Sequence, residues 1–191
     1  VWISVMLCID EIRTEHLLLT RVRENDRTCF LEMYQDPSVM ATMGGVRTTE
    51  QSSALFALDF GHWEQYGFGR WVARDSVTGQ FVGRGGLRHC TVEGKNAIEL
   101  GYAFLPQYWG RGLATELAEA SVRVGFDVIR LDELICMALP SNGASRRVME
   151  KAGFRYDREV IHAELRHFLH RQTASEWRER RAAGQAKVGD H

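Results

Sequence analysis

Apolar and polar positions divide the chain into short strands and amphipathic helices. Leu17, Leu18 and Leu19, with Thr20 and Val22, read as a first strand. Asp26 is placed to cap a helix over residues 27–35, and Pro37 stops it. Thr49 is placed to cap a second helix over residues 50–66, with Leu55, Leu58, Phe60 and Trp63 as apolar positions. Gly67 and Gly69 break that pattern. Strands follow at 70–74, 80–87 and 97–105, joined by turn-like residues 75–79 and 93–96. These links are too short for helical crossovers, so an antiparallel meander is expected. Pro106 ends the third of these strands, and a glycine-rich turn leads into a helix over 114–126. A strand at 131–138, a helix at 144–151 and strands near 155–161 and 165–170 complete the pattern.

That order predicts an α/β (α+β) fold with a single mixed, mostly antiparallel central sheet flanked by helices. No internal repeat or linker divides the chain, so residues 1–177 read as one domain. Residues 178–191 are charged and rich in small side chains and read as a flexible tail.

Lys plus Arg number 24 and Asp plus Glu 25, a formal net charge of -1. Such a balance gives no support to nucleic-acid or membrane binding. Cys8, Cys29, Cys90 and Cys136 form no CxxC pair, and the last three lie in or beside apolar runs. Buried free thiols and a reducing, cytoplasmic setting are expected. The apolar residues 1–9 lack a basic region before them and a cleavage site after them, a poor fit to a signal peptide, and Met6 is an alternative natural first residue. No stretch approaches the roughly 20 apolar residues of a membrane-spanning helix.

The chemistry concentrates in Gln107, Tyr108, Trp109, Gly110, Arg111, Gly112, Leu113 and Ala114. A strand end, a tight glycine turn and a helix start converge there. Backbone N–H groups in such a turn, with the field of a helix N-terminus, suit a pyrophosphate. No GKS or GKT follows, so a P-loop is disfavoured, and the segment follows meander strands rather than opening a βαβ unit. A glycine-rich link without a ligand is the competing reading.

The segment resembles motif A of the GNAT N-acetyltransferases, Q/R-x-x-G-x-G/A, and the chain is similar to the RimJ/RimL-type branch of that superfamily. The resemblance also rests on Arg13 to Leu19, Gly83, Gly86 and Leu87, and Glu99 to Tyr102. Asn142, Ser145 to Val148, Glu150 to Phe154, and Glu176 with Trp177 complete it. It implies acetyl-CoA as cosubstrate, held where strand 98–105 splays from strand 134–138. Backbone groups of Tyr102, Ala103 and Phe104 would bind the acetyl-pantetheine arm, amides of residues 108–114 the pyrophosphate, and Asn142 the arm. Asn142 equally suits a helix cap.

Acetyl transfer to an amine calls for a base near the amine and for stabilisation of the leaving thiolate. Glu99, a carboxylate in an otherwise apolar strand, is the leading candidate base. Its competing role is a substrate-binding carboxylate or a partner of Arg84 or Arg88. By resemblance Ser145 contacts the sulfur, since Met149 stands where many GNATs carry a tyrosine; Ser145 also suits a helix cap. Tyr102 and His162 are weaker candidates. His167 and His170 have HxxH spacing in a strand without further ligands, so no metal is expected.

The resemblance implies a peptide or protein N-terminal amine as acceptor. Amino acids, polyamines and antibiotics are the small-molecule alternatives, and a non-catalytic acyl-CoA sensor is a reading of another class. Glu32, Met33, Tyr34, Phe56, Trp63, Tyr66 and Phe68 are groove candidates, although helical aromatics usually serve a core. Monomer and homodimer are both compatible with the sequence.

Overall fold

A computed structural model describes residues 9–188, with side chains to residue 184. The apolar run 1–8 and Cys8 lie outside the described residues. Eight strands form one sheet: β1 (Glu11–Arg13), β2 (Leu17–Arg21), β3 (Arg70–Asp75), β4 (Phe81–Val92), β5 (Lys95–Phe104), β6 (Glu133–Ala138), β7 (Arg155–His162) and β8 (Leu165–Thr173). Their order is β1-β2-β3-β4-β5-β6-β8-β7. Only β5 and β6 pair parallel, so the sheet is mixed and mostly antiparallel, as the pattern predicts.

Among the described residues six α-helices complete the fold: α1 (Arg27–Gln35), α2 (Pro37–Met40), α3 (Thr49–Tyr66), α4 (Leu113–Arg123), α5 (Gly143–Ala152) and α6 (Ala174–Val188). One turn of π-helix, Val124–Ile129, extends α4. Among the described residues no helix is long and apolar enough to cross a membrane.

Alternation along β4 and β5 assigns the two faces of the sheet. Leu100, Tyr102 and Phe104 point with Gly85 toward α4, where a Cβ at Gly85 would meet Leu117. Glu99 and Gly101 point the other way, toward Arg70 and α3. Ser52, Phe56, Asp59 and Trp63, spaced four, three and four residues apart, form the buried stripe of α3. Leu58, expected among its apolar positions, is instead exposed.

Three local expectations are corrected. Thr48, not Thr49, caps α3: its hydroxyl accepts from Gln51 N–H, and Gln51 accepts from Thr48 N–H. Asp26 does not cap α1. The chain enters that helix from a 3-10 turn, and the Asp26 carboxylate accepts from Arg23 N–H at 2.8 Å and from Arg74 at 2.6 Å. Residues 178–188 of the expected tail fall inside α6, and 189–191 lie outside the described residues. That helix is anchored where Trp177 donates to Asp127 at 3.0 Å and stacks on Phe126, and where Arg181 pairs with Asp127.

Candidate active site

β5 and β6 share a single paired position, Glu99 with Ile135. Beyond it the strands part. A cavity of about 470 Å³ is lined by Tyr102, Ala103 and Phe104 of β5, by the turn leading into α4, by the start of α5, and by Val39, Thr42 and Met43 after α1.

The turn is built as the glycine spacing predicts. Pro106–Tyr108 form a 3-10 turn, and Gly110 and Gly112 take φ of 76° and 80°. L-residues other than glycine are strained there. A Cβ on either glycine would meet nothing within 4 Å, so the missing side chains leave open space. Gly112 is the N-cap of α4 and no side chain caps that helix. The first N–H groups of an α-helix have no intrahelical acceptor, so the amides of Leu113, Ala114 and Thr115 are available to a ligand. All three residues line the cavity. Open cradle, free amides and helix field together fit the pyrophosphate of a coenzyme A thioester.

Two wall residues, Arg147 and Lys151, carry part of the family resemblance in the sequence but were given no binding role there. They are four apart on α5 and therefore share a face, which is the signal that would have found them. By contrast, the side chains of Gln107 and Arg111 stay outside the cavity. Arg111 lies over the Tyr108 ring at 5.3 Å, and the Tyr108 hydroxyl donates to Gln80. The Trp109 indole N–H donates to the Phe104 carbonyl at 2.7 Å, tying the turn to the end of β5.

Asn142 has the capping role: its Oδ1 accepts from Ser145 N–H at 3.0 Å. The residue also lines the cavity, so its amide NH2 remains for a ligand. Ser145 stands beside it, and its Oγ lies 2.9 Å from the Tyr102 hydroxyl, which also reaches the Ser145 carbonyl at 3.2 Å. Burial pushes the Tyr102 phenol well above its ordinary value, the nearby Cys136 thiol adds to this, and Ser145 partly opposes it. Met149 is buried in the core.

Glu99 is not among the cavity-lining residues. It faces the α3 side of the sheet, and its Oε2 accepts from Arg70 at 3.0 Å. The expected partners were Arg84 and Arg88. Arg88 does lie opposite Glu99 on β4, but its nearest carboxylate is Asp59, at 3.5 Å. Arg70 also approaches Asp59, at 3.7 Å. Gly101 makes this possible, because a Cβ there would stand 2.5 Å from an Arg70 nitrogen. Asp59 and Arg70 were not anticipated. A lone aspartate on an apolar helix stripe is the signal that could have exposed them.

The remaining candidates are placed elsewhere. Met33, Tyr34, Phe56, Trp63 and Phe68 belong to the core, Glu32 is exposed, and the Tyr66 ring packs at a tilt against His89, centroids 4.1 Å apart. His162 faces His167 at the β7–β8 turn. His167 and His170, three apart in β8, point to opposite faces, and His170 is buried. Of the thiols expected to be buried, Cys136 is, whereas Cys29 and Cys90 are only half-buried, and burial raises the Cys90 thiol to about 11.

Comparison with known proteins matches this architecture. Solved structures superpose over most of the chain. The acetyltransferase from Agrobacterium tumefaciens str. C58 covers 86% of it and 94% of its own chain, with a TM-score of 0.77 and 25% identity. The aminoglycoside acetyltransferase AAC(6')-Ib in complex with coenzyme A covers 86% and 99%, with a TM-score of 0.71 and 18% identity, a likeness of fold alone. In sequence, the uncharacterized protein YkkB of Bacillus subtilis (strain 168) is 31% identical over 148 residues, 77% of this chain and 86% of YkkB. The acetyltransferase (GNAT) domain matches residues 16–155, from the start of β2 to the start of β7, and the chain belongs to that family.

Proposed function

We propose that the chain transfers an acetyl group from acetyl-CoA to a primary amine by direct attack. The observation that carries this reading is the cavity in the β5–β6 fork, with free helix amides at one end and the Tyr102–Ser145 pair beside it. Acetyl-CoA supplies the thioester whose carbonyl the amine attacks and whose thiolate leaves.

The chain's own groups divide the work. The amides of Leu113 to Thr115 fix the pyrophosphate, with Arg147 and Lys151 adding positive charge at the wall. Backbone groups of Tyr102 to Phe104 hold the pantetheine arm in strand fashion and present an N–H to the developing oxyanion. With the arm fixed, proximity contributes much of the rate. Tyr102 and Ser145 act as linked hydroxyls. When Tyr102 donates to Ser145 Oγ, the serine hydrogen is free to stabilise the thiolate. Tyr102 thus occupies the role left open by Met149. Burial keeps the phenol protonated, so the pair serves as hydrogen-bond donors rather than as a proton source. Glu99, with Oε2 taken by Arg70, offers Oε1 to the amine or to a water that carries its proton away.

The RimJ/RimL-type motifs favour a peptide or protein N-terminal amine; a small-molecule amine presents the same nucleophile. An acyl-CoA sensor would bind the cosubstrate without this acceptor chemistry. Incubation with acetyl-CoA and a panel of N-terminal peptides, amino acids, polyamines and aminoglycosides, read by mass spectrometry, tests the proposal. An acceptor heavier by one acetyl group, with release of coenzyme A thiol, is expected. Binding of acetyl-CoA without any product across the panel would favour the sensor.

A further inference from the structure

The cavity does not stop at the plane of the sheet. Tyr102 and Phe104 face α4, whereas Ala103, in alternation with Glu99 and Gly101, faces the α3 side, and all of residues 102–104 line the cavity. Val39 of α2, with Thr42 and Met43 after that helix, lines the same cavity. These residues belong to the layer on the α3 side. Phe30 of α1 meets Phe56 of α3 edge-on, centroids 5.4 Å apart, and the Tyr34 hydroxyl of α1 accepts from Arg84, which lies opposite Ala103. α2 follows α1 after a single residue. The cavity therefore runs from the α4 and α5 layer, past β5, to the α1 and α2 layer.

Its two ends differ in chemistry. Arg147 and Lys151, both on α5, are the charged side chains on its wall. Toward α2 the wall is Val39, Met43 and Ala103, and the Thr42 hydroxyl is its polar group. Val39 is 4% exposed and fixed by packing, while Met43 is half-buried against the core. An unbranched thioether adapts its shape to an apolar neighbour. Arg47 donates to the carbonyls of Met43, Gly44 and Gly45 and so holds the loop that carries Met43. Glu99, the acceptor-side carboxylate, is not on this wall; it lies four residues back along β5, where β5 and β6 are still paired. The apolar end is thus separate from the approach of the amine at Glu99.

We propose that this apolar end receives the tail of the acyl group, so that the protein takes unbranched acyl-CoA thioesters longer than acetyl, such as propionyl and butyryl, as donors. This rests on the acyl-transfer reading of the same site. With the thioester held at Tyr102 and Ser145, each further methylene leaves water for the surface of Val39, Ala103 and Met43. The tail leaves the bond changes as they are. The amine nitrogen bonds to the carbonyl carbon, and the C–S bond breaks with its electron pair on sulfur. One proton passes from the amine, through Glu99 or water, to the released thiol.

The test is calorimetric titration of acetyl-, propionyl- and butyryl-CoA into the wild type and Met43→Gln. Wild-type affinity is expected to rise roughly two- to fourfold with each added methylene. Met43→Gln keeps the length of the side chain but makes its end polar, and should reduce that rise. Equal or falling affinity along the wild-type series overturns the proposal, whatever the variant does to folding. A rise that a folded Met43→Gln protein leaves whole also overturns it, because the tail then lies elsewhere. Thiol release from the three thioesters, measured with the acceptor panel, separates the two readings. Release from acetyl-CoA without a rise in affinity removes the tail site and leaves acetyl transfer standing. A rise in affinity with no release from any thioester supports the tail site and removes the transfer reading.

Discussion

On the α4 side of β5, the end of the cavity suited to a pyrophosphate is built from main chain: two glycines with positive φ and uncapped helix amides. On the α3 side of the same strand, the work falls to side chains, with Asp59, Arg70, Arg88 and Glu99 drawn from four elements and linked by ion pairs at 3.0–3.7 Å. The difference teaches how each face tolerates change. Backbone donors persist under most substitutions and fail only where a side chain fills the cradle. An interlocked charge cluster fails at almost any member, because removing one partner strands another.

The comparison sharpens first at Glu99. Glu99→Gln should lower kcat by roughly 10²–10⁴, the usual range for a positioned acid–base group, with little change in acetyl-CoA affinity. An unchanged kcat would leave Glu99 as an electrostatic anchor only. Next is Asp59→Ala, which leaves Arg70 and Arg88 without their shared carboxylate. Losing one member of a buried pair destabilises by about 3–5 kcal/mol, and the long Asp59 distances put this site toward the lower end. Urea unfolding would show it, and a fully stable variant would mean that the cluster carries little strain.

A smaller effect belongs to the cavity side. Tyr102→Phe removes the hydroxyl bonded to Ser145 and should slow single-turnover acetyl transfer about tenfold, the value of one hydrogen bond. Ser145→Ala should do the same, and the double variant should be no slower than either single one, because the two hydroxyls act in series.

The smallest effect is on pH dependence. Burial lowers His62, His89 and Arg88 add to this, and the Phe68 carbonyl and Asp59 partly oppose it. A histidine lowered by folding binds its proton more weakly in the native state than in the unfolded chain. Its contribution is therefore complete above the ordinary value of 6.5 and is lost as pH falls from there through the lower folded value. His62 holds His89 N–H and the Phe68 carbonyl, so protonation breaks one of these contacts. Thermal unfolding of the wild type should weaken with acidification through this range, and His62→Gln should flatten that slope; an unaltered slope would place the sensitivity elsewhere.

The same division explains what the sequence disclosed. Residues 102 to 114 are contiguous, and glycine spacing reports backbone geometry directly, so the cradle and its helix were legible. The mixed sheet followed from strand order and short turns. The charge cluster was hidden because its members are dispersed, and α3 reads as apolar although its buried stripe includes Ser52 and Asp59. For Glu99, composition pointed to Arg84 or Arg88 across β4, whereas Arg70 reaches it over Gly101 from β3, one strand further away. β1 is only three residues long, too short for an alternation signal. Residues from 178 onward look like a tail in composition, yet α6 is held by Trp177 and Arg181 on Asp127, contacts that no local pattern reveals.

The most direct test of the account is calorimetric titration of acetyl-CoA into the wild type, Gly112→Val and Glu99→Gln, with unfolding curves recorded for each. Valine at Gly112 meets a left-handed backbone and fills the cradle, so its Kd should rise on the order of 10- to 100-fold, while Glu99→Gln binds as the wild type does. Wild-type affinity in a folded Gly112→Val protein, or an equal loss in Glu99→Gln, would contradict the assignment of cofactor binding to one face and acceptor chemistry to the other.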